Sequence, residues 1–339
     1  PRQCGAKEQL RGGRNSGIIK GKRKPEGGGS MEDRWRRGAV CVLLALSLLT
    51  GCGGGEPTAG TRDPSVPGNY EIPAFRDAAF DETAAETLDG GVEADFSGLE
   101  EGYVAIRARS DKRLKFQVIL GDVTYNYDLP ADGTPTVFPL SLGSGSYTFR
   151  VMENVSDSKY LCTAKESREV KLADEFQPFL RPSQMASYTE NSRCVEKARE
   201  LAFSCDSDAE VAAAVYACLT ESIRYDTKKA ESVRSGYLPD PDETLASGKG
   251  ICFDYASLAA AMLRSVGIPC RLIVGYVQNG GKEVYHAWNS FYLNDQGWIT
   301  VEIQAKPHDW QRVDITFAAA GVDTKSLMDD ALYTTRFIY

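Results

Sequence analysis

Residues 248–269 leave the chain little conformational choice. Gly248-Lys-Gly-Ile-Cys252 is a glycine turn. The run that follows, Phe253-Asp-Tyr-Ala-Ser-Leu-Ala-Ala-Ala-Met-Leu-Arg-Ser-Val266, is dominated by Ala, Leu and Met and reads as a strong helix. Gly267-Ile-Pro269 ends it, with Gly267 suited to the position just past a helix terminus. Cys252 therefore sits at a helix N-terminus, directly after a flexible turn. There the helix dipole and free backbone N–H groups stabilise an anion, which lowers a thiol's pKa and supplies thiolate. The same N–H groups can hold a developing oxyanion. By itself, a cysteine at a helix start is more often structural than catalytic.

The next segment changes that balance. Residues 270–277 have a strand pattern, Asn279-Gly280-Gly281 is a turn signal, and residues 284–293 form a second strand pattern. His286 and Trp288 alternate onto one face of that second strand. A strand-borne His beside a helix-borne Cys is what a thiol–imidazole pair requires: the ring takes the thiol proton and later donates it to the leaving group. A third group, usually an acid, orients the ring. Upstream, Pro178 and Pro182 mark a hinge-like stretch. Helical patterns cover 194–203 and a segment that starts at the capping box Ser207-x-x-Glu210 and ends near Ile223-Arg-Tyr225. Gly236-Tyr-Leu-Pro-Asp-Pro-Asp242, interrupted by two prolines, reads as a loop.

These residues resemble the transglutaminase-like superfamily of papain-fold cysteine enzymes. The resemblance is carried by Gly248-Lys-Gly-Ile-Cys-Phe-Asp-Tyr-Ala256, Gly267-Ile-Pro269, Gly275-Tyr276, His286-Ala-Trp-Asn289 and Gly297-Trp298, over roughly residues 210–320. It implies an α+β fold whose papain-like transglutaminase core places Cys on a helix N-terminus and His and an acid on an antiparallel sheet. It implies Cys252 as nucleophile and His286 as base. In many members the acid follows a tryptophan by four residues, in W-x-x-x-D-P-T. Asp314 in Trp310-Gln-Arg-Val-Asp314-Ile-Thr fits better than Glu302 in Trp298-Ile-Thr-Val-Glu302, although Ile315 stands where Pro is common. The implied chemistry is thiolate attack on an amide, release of ammonia or an amine, and passage of the thioester acyl group to water or to another amine. Hydrolysis of protein or peptide amides is the favoured outcome. The competing reading is a catalytically inactive papain-fold surface protein that binds or scaffolds. Asp254 reads as a dipole-friendly acid in the first helical turn, Trp288 as core, Asn289 as a turn or sheet residue, and His308 as exposed.

Ahead of this core, residues 100–172 alternate with period two in short runs separated by Gly, Pro, Asp and Ser turns. That pattern suggests a small all-β sandwich. An accessory domain is the favoured role. Tyr125 and Tyr127, read as exposed, keep a ligand-binding role open.

The front of the chain reads as an address. Residues 1–30 are basic and glycine-rich without apolar periodicity, and we read them as non-native or disordered, outside the fold. From Met31 come Arg34, Arg36 and Arg37, then an apolar run from Gly38 to Leu49 that is shorter than the roughly 20 residues of a membrane span. Its ending, Leu49-Thr-Gly-Cys52, resembles a bacterial lipobox, which implies lipidation at Cys52 and a lipoprotein signal peptide over 31–51. The expected organisation continues with a flexible tether at 52–72, a β-sandwich at 73–178 and a transglutaminase-like domain at 179–339. The expected location is a bacterial cell surface, held to the membrane through the lipid.

Charge and cysteine usage exclude other classes. Of 39 basic and 47 acidic residues, 28 and 43 follow residue 51, so the body of the chain repels a phosphate backbone and nucleic acid is not an expected partner. Nine cysteines are scattered without a C-x-x-C pair, and only two histidines exist, which gives no zinc-ligand spacing. Cys194 and Cys205 are left open as a pair. No cofactor and no metal are expected.

Overall fold

A computed structural model describes residues 65–279, 282–301 and 333–339. Within them the chain is an α+β protein in which a β-rich region precedes a core of helices and sheet. The β-rich region holds two four-stranded antiparallel sheets. One has the order β1 (Glu86–Thr87), β2 (Glu93–Asp95), β3 (Tyr103–Arg107), β6 (Thr136–Pro139). The other has the order β5 (Val123–Leu129), β4 (Leu114–Leu120), β7 (Gly145–Ser156), β8 (Lys159–Val170). The alternation seen in the sequence is the alternation of burial: Phe116 and Val118 on β4, and Tyr147, Phe149 and Val151 on β7, all point inward. Phe138 of the first sheet meets Phe116 (4.6 Å between centroids) and Tyr127 (5.0 Å) of the second, so the aromatic filling lies between the sheets.

Tyr125 and Tyr127 belong to that filling. They are 4% and 1% exposed, not surface aromatics. Alternation identifies the face a residue lies on but not which face is covered. Tyr125 also reaches the C-terminal strand β14 (Tyr333–Ile338), where its hydroxyl accepts a hydrogen bond from the Ile338 N–H at 3.0 Å. Its ring packs on Phe337 and Tyr339. The β-rich region and the helical core therefore share packing and fall in one compact unit.

The helical layer holds α1 (Arg193–Ala202), α2 (Asp208–Ser222), α3 (Thr227–Ser232), α4 (Pro241–Ser247) and α5 (Cys252–Ser265). Half of the expected capping box forms at α2: Ser207 Oγ accepts from the Glu210 N–H, while the Glu210 carboxylate reaches the Asp206 N–H instead of that of Ser207. The loop expected over 236–242 is found at 236–240, and its last two residues open helix α4. Pro241 occupies the first helical turn, where a missing N–H loses nothing, and Asp240 caps it through the Glu243 N–H.

The sheet beneath runs β13 (Gly297–Val301), β12 (Lys282–Leu293), β11 (Cys270–Asn279), β14, all antiparallel. Helix α5 lies buried over most of its length, from Asp254 to Ser265. A helix apolar on nearly every side has to be covered on nearly every side. Here helices α1, α2 and α4 and the sheet supply the cover. Full burial of each large side chain in it, such as Leu258, Met262 and Leu263, contributes roughly 1.5–3 kcal/mol. Residues 68–70, at the end of the stretch whose composition reads as a spacer, are docked on the helical layer. Gly68 N–H donates to Phe203 O, Tyr70 N–H to Cys205 O and the Tyr70 hydroxyl to Val266 O. Cys194 and Cys205, left open as a pair by the sequence, are not joined to each other.

Candidate active site

The turn before Cys252 is pinned. Gly248 ends α4 in the left-handed region (φ 62°), a conformation that favours glycine. Lys249–Gly250 form a short strand, β10, in parallel register with Arg224–Tyr225, β9. The Arg224 N–H donates to Gly248 O and the Asp226 N–H to Gly250 O, both at 2.9 Å. Gly250 answers a different need. A Cβ there would lie 2.7 Å from the Cβ of Asp254, so only glycine lets the first turn of α5 fold back beneath this strand. The two glycines of the motif thus do separate work, one conformational and one steric.

Cys252 is the first residue of α5 and is half-buried. Two residues on, Asp254 is fully buried. Its Oδ2 accepts from the Ile251 N–H at 2.8 Å, satisfying one of the orphan donors of the helix start. Its Oδ1 accepts from the Tyr237 hydroxyl at 2.5 Å, and its Oδ2 lies 2.7 Å from Lys229 Nζ. The sequence marks Asp254 as a dipole-favoured acid, and it is that, but it is also the centre of a buried ion pair whose partners lie 17 and 25 residues upstream. Nothing local in the sequence announces Lys229 or Tyr237.

His286 lies on β12, opposite Gly275 of β11. The residue is half-buried and its Nε2 is buried. Gly275 permits a close approach, since a Cβ there would fall 2.1 Å from Thr334 O on β14 and 2.9 Å from the Trp288 ring. Trp288 shares the face of His286 and is 3% exposed, packed edge-on against Tyr333 at 5.4 Å, as a core residue should be. The alternate face carries Ala287, Asn289 and Phe291 toward the helices. Asn289 is buried in the strand, and its Nδ2 donates to Ala256 O at 2.9 Å and Arg271 O at 3.3 Å, which ties α5 to the sheet.

Burial pushes up the phenol pKa of Tyr285, the neighbour of His286; Arg336 pulls it down, and Tyr276 and Cys252 add smaller upward contributions. Burial likewise raises Tyr225 on β9, and charge at Cys252 and then at Asp254 adds to it. Helix α5 packs against β12, the strand that bears His286, and β9 pairs with the short strand that leads into Cys252. Asp314, Glu302, His308 and Cys52 lie outside the described residues. Among the described residues, no group of three His, Cys, Asp or Glu side chains is placed to hold a metal ion.

Comparison with known proteins follows the same segment. Residues 195–303 match the family described as the transglutaminase-like superfamily. Kyphoscoliosis peptidase of Mus musculus is 29% identical over 136 residues, which cover 38% of this chain and 18% of that protein. The Homo sapiens kyphoscoliosis peptidase is 28% identical over 145 residues, which cover 40% of this chain and 20% of that protein. The chain therefore spans no more than about a fifth of the length of these relatives. Among solved structures, red sea bream transglutaminase is 14% identical with a TM-score of 0.27, covering 63% of this chain and 49% of that one, a likeness too loose to bear on mechanism. The segment 195–303, which holds Cys252 and His286, is thus the part of this chain that is similar to the transglutaminase-like superfamily.

Proposed function

We propose that the protein is a lipid-anchored cysteine enzyme of the cell surface that acts on protein or peptide amides. The observation that carries this reading is the start of α5, where Cys252 heads a buried helix packed against β12, the strand that bears His286. In this reading His286 accepts the Cys252 proton and the thiolate attacks the amide carbonyl. The C–N bond breaks, the imidazolium protonates the departing amine, and a thioester remains. Water, deprotonated by His286, then attacks the thioester, which yields a carboxylic acid and restores the thiol. The N–H groups at the helix start face the developing oxyanion. Asp314 is the proposed orienting acid, ahead of Glu302. The peptidase name of the curated relatives fits hydrolysis over amine transfer. The proposed division sets an accessory β-sandwich at 73–178 before the catalytic domain at 179–339, with lipid on Cys52 as the anchor; these rest on the sequence pattern alone.

The test is the alkylation rate of Cys252 against pH, mapped by mass spectrometry, in the parent and in His286→Ala, Asp314→Asn and Glu302→Gln. Rapid labelling well below the free-thiol pKa of about 8.5, slowed in His286→Ala and in Asp314→Asn but not in Glu302→Gln, is the expected result. Labelling no faster than an ordinary thiol in every variant would replace the enzyme with a papain-fold binding scaffold. The anchor is checked separately, by the mass of the N-terminal peptide with and without Cys52→Ser.

A further inference from the structure

The ion pair beneath Cys252 is more elaborate than a helix cap requires. The Ile251 N–H alone would satisfy the capping role of Asp254, yet the carboxylate also binds a cation and a phenol. Lys229 Nζ donates to the Tyr237 hydroxyl at 2.7 Å as well as pairing with Asp254, and it sits 4.5 Å from the Tyr237 ring centroid. The three groups close a triangle. Lys229 is itself placed by α3, whose N-cap, Asp226, accepts from the Lys229 N–H at 2.9 Å and donates its own N–H to the Gly250 carbonyl. The segment that carries Lys229 is therefore tied to the strand that leads into Cys252.

The electrostatic consequence follows from position. Asp254 is fully buried two residues after the thiol. A bare carboxylate in a low-dielectric site disfavours a second negative charge beside it. Lys229, with about a third of its side chain exposed, supplies the opposite charge. Burial works against its ammonium, but hydrogen bonds to Asp254 and Tyr237 outweigh burial and hold its pKa above the usual range. The other groups that feel charge at this end of α5 are Tyr225 on β9, Tyr285 on β12, and Tyr255 on the helix itself, whose hydroxyl donates to Ile223 O.

We propose that Lys229 and Tyr237 are positioning residues for Cys252, which neutralise and fix the buried Asp254 carboxylate so that the thiolate can form at the helix start. This rests on the cysteine-enzyme reading above. Neither residue touches the substrate in this scheme; each acts through Asp254.

The experiment is the pH midpoint of Cys252 alkylation in the full chain, for the parent, Lys229→Met, Tyr237→Phe and the double variant Lys229→Met with Asp254→Asn. Far-ultraviolet circular dichroism confirms folding. Lys229→Met is expected to move the midpoint up by about one unit, a tenfold loss of labelling rate below the midpoint. Tyr237→Phe, which keeps the cation, moves it by less. The double variant removes the uncompensated charge and returns the midpoint toward the parent value, which a merely structural role would not do. A midpoint unmoved in Lys229→Met, or a double variant no better than the single one, overturns the proposal. If Lys229→Met does not fold, Tyr237→Phe decides: a midpoint equal to the parent's is the overturning result. A parent that labels like an ordinary thiol sinks the enzyme reading and this proposal with it, whereas an activated parent with an indifferent Lys229→Met sinks this proposal alone.

Discussion

The two ends of α5 solve opposite problems with the same kinds of groups. At the N-terminus, a buried carboxylate, Asp254, faces the positive end of the helix dipole. At the C-terminus, a buried guanidinium, Arg264, faces the negative end. Each end has a cysteine nearby. Cys252 is half-buried and heads the helix, whereas Cys270 is fully buried at the start of β11, where burial pushes its thiol up to about 12. The charges are also met differently. Asp254 has a lysine and a tyrosine hydroxyl reaching in from segments close to the surface. Arg264 is met by backbone alone in its hydrogen bonds, to Cys270 O at 2.8 Å, Arg181 O at 3.0 Å and Tyr339 O at 2.8 Å. One end is a charge network beside an accessible thiol. The other is a rivet that joins the helix, the sheet, the C-terminal strand and the segment entering from the β-rich region.

Thiol labelling gives the largest contrast. In the native protein at pH 8, Cys252 is expected to react with a neutral alkylating agent at least about a thousandfold faster than Cys270. Cys270 is then labelled only through opening of the core, which costs on the order of 4 kcal/mol or more. Peptide mapping over time measures both rates in one sample. Comparable rates would mean that the C-terminal end of the helix opens as readily as the other, and the contrast would be lost.

The next effect is on stability. Arg264→Met strands three carbonyls that were satisfied by a charged donor, at a fully buried site. A loss of about 3–5 kcal/mol is expected in urea unfolding. In the protein that remains folded, the pH midpoint of Cys252 alkylation should stay where it is, because the two ends do not share partners. A loss under about 1 kcal/mol would show that Arg264 is not the rivet the geometry implies. A shifted midpoint would show that the ends are coupled through the helix.

The sequence discloses these ends unequally. The helix between them is legible because a fourteen-residue run dominated by Ala, Leu and Met with a glycine stop admits one local structure. Cys252 and His286 are legible because their motifs place one on a helix start and the other on a strand, and both are found there. The local half of Asp254, its bond to Ile251, is implicit in its place in the first turn. The distant half is not, because Lys229 sits on the six-residue helix α3, too short to show a period, and Tyr237 sits in a loop. Arg264 looks in sequence like an ordinary basic residue near a helix end, and only the arrival of Arg181 and Tyr339 from far away makes it a buried clamp. Tyr125 and Tyr127 show the same limit: alternation gives the face, and tertiary packing decides whether that face is wet. Pro241 shows a smaller one, since a proline reads as a breaker until the preceding Asp240 is seen as a cap. The proposed acid, Asp314, lies outside the described residues and stays a motif-level assignment.

The smallest effect is the alkaline response of the N-terminal network, and its sign separates the ends again. Burial first, and then the Asp254 carboxylate, push the Tyr237 phenol up to about 12 from an ordinary value of 10.0. Lys229 is raised as well. A group whose pKa is higher in the folded state contributes stability that is fully present below its unfolded value and is lost as pH rises through its folded value. The contribution of Tyr237 should therefore be complete below about pH 10 and fade toward pH 12. Its size is modest because the network is partly exposed, and solvent screening keeps it under about 1 kcal/mol. The comparison to make is parent against Tyr237→Phe in urea at pH 9 and again near pH 11.5, where the gap between them should narrow. Phe cannot ionise, so the changes common to both proteins, from the other tyrosines and from Arg264, cancel in the difference. A gap that stays constant across the window would mean that the phenol does not share its proton with the buried carboxylate, and the N-terminal end would then be a plain helix cap.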